Sequence, residues 1–105
     1  ALLASKLFRT SVTGDAEIFV YYRTSAATAG RLDVTMTSGA TLSIVLPAAA
    51  SGAEVSGTVA VDCEDPTSSD GRRATRDDIC TLKFLRTSGA GSVSIEALSI
   101  IEVRT

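Results

Sequence analysis

The chain has 105 residues, 45% of them hydrophobic and 21% charged, with a formal net charge of -2; these values fit a single globular domain over 1–105 and argue against a disordered chain. It contains no His, Trp, Asn or Gln, so Ser–His, Cys–His and His–metal chemistry are impossible within it. No basic run exceeds Arg72–Arg73 and no apolar run approaches 18 residues, which argues against nucleic-acid binding and against a transmembrane helix.

Along the chain, apolar residues recur mostly with period two, the signature of strands. A first strand is predicted near 3–10, with a short amphipathic helix as the alternative because Leu3, Leu7 and Phe8 also follow helical spacing. A second, near 15–23, contains the continuous apolar and aromatic run Ile18–Tyr22 and reads as buried on both faces. Strands near 31–38 and 40–46 alternate cleanly, and Ser38-Gly39 between them reads as a hairpin turn. Pro47 to Gly52 interrupts the pattern before a strand near 54–62. Further strands are predicted near 79–86, where Cys80, Leu82 and Phe84 share a face, and near 92–103, where Val93, Ile95 and Ala97 share one.

Three related stretches, Lys6-Leu7-Phe8-Arg9-Thr10-Ser11, Val20-Tyr21-Tyr22-Arg23-Thr24-Ser25 and Lys83-Phe84-Leu85-Arg86-Thr87-Ser88, read as strands running out into turns where Thr and Ser bond the backbone locally. The alternative gathers the three Arg side chains into one grip on an anion or a neighbouring subunit.

Between Cys63 and Cys80 lies the most polar segment, holding with Asp62 six carboxylates and three Arg. Asp62, Glu64, Asp65, Asp77 and Asp78 are too irregularly spaced for an EF-hand calcium loop, and the three Arg compensate them, so a solvated loop with no bound metal is expected. If strands 54–62 and 79–86 are neighbours, the two sulfurs sit at the base of this loop. Cys63 and Cys80 then form either a disulfide, worth about 3 kcal/mol on loop entropy, or two buried thiols.

Seven to eight short strands separated by turns predict an all-β fold, an antiparallel β-sandwich with jelly-roll-like crossings, or a small barrel as the other way to close. Ala16–Ser25, Leu42–Pro47 and the pair Thr81–Leu85 and Val93–Ile100 together resemble the galactose-binding-like β-sandwich of many carbohydrate-binding modules. The resemblance implies a jelly-roll sandwich that binds glycans, with a closing hairpin formed by the last two strands. With Trp, Asn and Gln absent, Tyr21 and Tyr22 are the stacking candidates, and Arg23 and Asp33 the candidates for hydrogen-bonding sugar hydroxyls.

No residue set suggests catalysis or a cofactor, and enzymatic activity is not expected. Small size, a surface rich in Ser, Thr and Ala, and apolar pairs at Leu2-Leu3 and Ile100-Ile101 point to a structural or assembly protein. A virion decoration or surface-layer component, in a virion or at a cell surface, acts through a protein partner or self-assembly; a carbohydrate-binding module is the alternative.

Overall fold

In a computed structural model, residues 2–10, 13–65, 74–75 and 77–104 are described. Nine strands follow in chain order: β1 (Leu2–Thr10), β2 (Gly14–Thr24), β3 (Ala29–Met36), β4 (Thr41–Leu46), β5 (Ala53–Val61), β6 (Glu64–Asp65), β7 (Ala74–Thr75), β8 (Asp78–Ser88) and β9 (Val93–Arg104). The fold is all-β. The seven long strands form two antiparallel sheets, one ordered β1-β8-β3-β4 and the other β5-β2-β9, while β6 and β7 pair as a small ribbon. Among the seven long strands only β3 and β4 are consecutive neighbours in one sheet. Every other link between consecutive long strands crosses to the opposite sheet, which gives the sandwich its jelly-roll-like winding.

The sandwich follows from strand alternation, since side chains on successive residues point to opposite faces. On β2 the inward set is Ala16, Ile18, Val20 and Tyr22; it meets Leu32, Val34 and Met36 of β3, Ile44 and Leu46 of β4, and Cys80, Leu82 and Phe84 of β8. Each buried Val, Leu or Ile contributes about 1.5–3 kcal/mol by leaving water, so this core is the principal force holding the sheets together. The edges of β4 and β5 meet on one side, and Gly57 makes that approach possible: a Cβ there would lie 2.8 Å from the Leu42 side chain. At the β3–β4 turn, Gly39 takes φ +112°, a conformation that other residues rarely adopt.

Four expectations change. The run Ile18–Tyr22 is not buried on both faces: Phe19 and Tyr21 lie half-buried on the outer side, where among the described residues no further layer covers the β5-β2-β9 sheet. Strands β5 and β8 are not neighbours, and β8 and β9 form no closing hairpin; in both pairs the two strands lie in opposite sheets. Ala97 does not share a face with Val93 and Ile95. A register shift between Tyr21 and Tyr22 leaves Glu96 as an extra residue in β9, and the bulge reverses the phase so that Leu98 and Ile100 face the core. The first segment is a strand rather than a helix.

Candidate functional site

Each outer face is built by the register of its strands. On the four-stranded sheet, Lys83 of β8 lies beside Asp33 of β3, which lies beside Ser43 of β4; the next row aligns Leu85, Arg31 and Val45. Arg31 grips Asp33 with two parallel bonds, Nε to Oδ1 at 2.8 Å and Nη2 to Oδ2 at 3.0 Å. The Ser43 hydroxyl donates to Asp33 Oδ1 at 2.9 Å. The hydrogen bond from Arg31 holds the Asp33 carboxyl below the usual carboxylate range; partial burial opposes this, and Ser43 and the nearby Lys83 charge assist. These residues, with Thr35 and Thr41, line an open depression of about 620 Å³. Its charged and hydroxyl groups can hydrogen-bond a polar or anionic ligand, and the planar Arg–carboxylate pair fixes their directions.

The four predicted ligand residues do not converge. Tyr22 is 1% exposed in the core, and its hydroxyl donates to the Pro47 carbonyl at 2.7 Å; burial raises its pKa. It therefore presents no ring to a ligand. Tyr21 and Arg23 lie on the outer face of the three-stranded sheet, where Arg23 pairs with Glu96 at 3.3 Å, while Asp33 lies on the outer face of the opposite sheet. Arg31, Ser43 and Lys83 were missed as partners of Asp33. Period-two spacing already placed Arg31 on the same side as Asp33, but the partners on β4 and β8 required the register.

Nor do the three Arg of the related stretches gather. Arg9 pairs with Asp77 at 3.3 Å at one end of the sandwich. Arg23 pairs with Glu96, and Arg86 donates to the Gly91 carbonyl at 3.1 Å. Nor do the following threonines bond the backbone locally: Thr10 donates to the Asp78 carbonyl and Thr24 accepts from the Ala49 amide at 2.8 Å, both across segments distant in sequence.

The cystine left open by the sequence is not formed. Cys63 and Cys80 are free, buried thiols. The Cys63 sulfur donates to the Thr10 carbonyl at 3.5 Å, whereas Cys80 points inward from β8, paired with Phe8 and Met36 on its neighbours. Burial pushes the Cys80 thiol pKa up, and the Asp78 charge adds to this.

Asp78 itself is not part of a solvated loop. It is 0% exposed, and its carboxylate accepts four bonds: from the Ser38 amide at 2.9 Å, the Ser38 hydroxyl at 2.6 Å, the Thr37 hydroxyl at 3.0 Å and the Asp62 amide at 2.9 Å. Burial alone would raise its pKa, but these donors outweigh burial and hold it below the ordinary range. Of the acidic segment expected to be compensated by Arg, residues 66–73 and Arg76 lie outside the described residues. Among the described residues no group of three His, Cys, Asp or Glu side chains is placed to hold a metal, and no helix is long and apolar enough to cross a membrane.

Comparison with known proteins returns no match among protein families, curated proteins or solved structures.

Proposed function

We propose that the protein is a non-catalytic structural component that works through protein–protein contacts, as a decoration or surface-layer subunit does on a virion or a cell surface. The observation that carries this reading is where its large apolar side chains lie. Leu7 is 66% exposed and Val45 65% on one outer face, and Ile101 is 50% exposed with Val103 beside it on the other. In a small domain with a well-filled core, exposed apolar groups on two flat faces are what an interaction surface requires. The buried titratable groups support the same reading: Asp78 and Tyr22 are occupied by structural hydrogen bonds rather than aimed into a cleft.

Native mass spectrometry of the protein purified from its source tests this. The expected result is an oligomer or a complex with another protein. A strictly monomeric chain with no protein partner would overturn the reading.

The depression around Arg31, Asp33, Ser43 and Lys83 favours a second reading, a carbohydrate-binding module whose ligand is polar or acidic rather than stacked on an aromatic platform. Affinity electrophoresis in gels containing acidic polysaccharide, with Asp33→Ala and Lys83→Ala as controls, separates the two. Retardation of the parent chain that both substitutions remove would favour glycan binding.

A further inference from the structure

Among the described residues the two outer faces of the sandwich carry opposite charge, and its sheet edges are guarded. The four-stranded face bears Arg9, Arg31 and Lys83 against Asp33 and, at its margin, Asp77. The three-stranded face bears Asp15, Glu17 and Glu54 beside the Arg23–Glu96 pair. Three ion pairs, Arg9–Asp77, Arg31–Asp33 and Arg23–Glu96, neutralise their members. Among the described residues Lys83 then remains as the excess charge on one face, and three carboxylates remain on the other. Apolar groups accompany each set, Leu7 and Val45 on the basic face and Phe19, Ile101 and Val103 on the acidic one.

The edges are less suited to docking. Lys6, in the middle of edge strand β1, aligns with inward-facing Leu82, and its ammonium lies 5.3 Å from the Phe8 ring centroid. The bulge at Glu96 interrupts edge strand β9, and β4 and β5 abut each other. An inward charge, a bulge and a covered edge are the devices that discourage strand-to-strand addition.

Building on the assembly reading, we propose that the partner is a second copy of the chain, stacked head to tail with the basic face of one copy on the acidic face of the next. Like-to-like pairing of the acidic faces would oppose three carboxylates from each copy, which disfavours a two-fold dimer there. A contact between two different faces is heterologous, and repeated it builds a filament or ring rather than a closed pair. Four strands about 4.8 Å apart and about nine residues long outline a face of roughly 600 Å². That is less than the roughly 800 Å² per partner of a standard interface, so a single step is weak, and the stack forms at high concentration and low salt.

Sedimentation velocity with a charge exchange tests the proposal. In about 20 mM salt the parent chain is expected to gain mass with concentration, and to lose that gain in about 0.5 M salt. The pair Arg9→Glu with Lys83→Glu makes both faces acidic; the pair Asp15→Lys with Glu17→Lys makes both basic. Each double variant alone is expected to associate at least about tenfold more weakly than the parent, and an equal mixture of the two to regain association, because every acidic face again meets a basic one. The variant Lys83→Glu, mixed with the pair Glu17→Lys and Glu54→Lys that still turns the three-stranded face basic, repeats the test should a double variant fail to give the parent circular dichroism spectrum.

A parent chain that stays monomeric at millimolar concentration in low salt overturns the stacking. So does association that neither exchange weakens. In either case a different protein partner in the native mass spectrum leaves the assembly reading standing. Retention on acidic polysaccharide that depends on Lys83, with no protein partner, rejects both.

Discussion

The two ends of the sandwich are tied by different chemistry. At the end where β8 begins, one buried carboxylate collects donors from the β3–β4 turn and from the residue after β5, and the Asp78 carbonyl accepts from Thr10 of β1. Both sheets are fastened through a single ionised side chain. At the opposite end the ties are neutral apart from the Arg86 guanidinium, which donates to the Gly91 carbonyl. Ser25 and Ser92 exchange backbone and hydroxyl bonds, the Gly91 amide donates to Thr28, and Tyr22 reaches Pro47. A charge concentrates stability in one residue and couples it to pH; hydroxyls and close backbone contacts spread it over many residues and leave it indifferent to pH.

Removing the charged tie has the largest expected effect. Asp78→Ala removes four part-buried hydrogen bonds to a charged acceptor, at a cost of about 3 kcal/mol, against the 5–15 kcal/mol total of a domain this size. Urea unfolding measures it; a loss under about 1 kcal/mol would show that the two ends are not different in kind.

The pH dependence follows with its sign. Because the folded Asp78 pKa lies below its unfolded value, the contribution is fully present above the unfolded pKa of about 3.9 and is lost as pH falls through the folded pKa. Parent stability therefore falls in acid, and Asp78→Asn flattens that limb of the stability–pH curve. An equally steep limb in Asp78→Asn would place the acid sensitivity elsewhere.

At the neutral end, Gly89→Ala is expected to cost about 2 kcal/mol, since Gly89 adopts φ +77° and a Cβ there would lie 2.6 Å from the Ala27 carbonyl oxygen. Its loss stays constant as pH falls from 7 to below about 3.9, where the Asp78 contribution fades, which sharpens the contrast. The smallest effect is Tyr22→Phe, about 1 kcal/mol for one hydrogen bond, read as a shift in the same urea midpoint.

Much of this architecture was legible in the amino-acid order. Alternation such as Leu32, Val34, Met36 against Arg31, Asp33, Thr35 placed the strands within a residue or two and chose their inward faces. Alternation says nothing about which strand lies beside which, so the pairing of β5 with β8 stood only as a condition and the closing hairpin only as what the resemblance implies, and both pairs lie in opposite sheets. It also fails at a bulge, because the extra residue at Glu96 leaves no mark in composition. Asp78 was hidden by its acidic neighbours, although it lies two residues before Cys80 and in phase with it. At the candidate site, Asp33 was visible as a polar group on a strand. Its partners Ser43 and Lys83 come from strands 10 and 50 positions away, and only register brings them together. Tyr22 was misjudged because an aromatic run does not reveal which of two adjacent rings faces the core.

The chain has only two lysines, Lys6 on the guarded edge and Lys83 on the basic face, and this makes one measurement unusually direct. Zero-length carbodiimide cross-linking of an equal mixture of isotopically light and heavy protein, read by mass spectrometry, identifies which lysine touches which carboxylate in another copy. Head-to-tail stacking predicts mixed-isotope links from Lys83 to Glu17, with Asp15 or Glu54 as neighbouring acceptors. Mixed links formed through Lys6 alone, or none between copies, would contradict it.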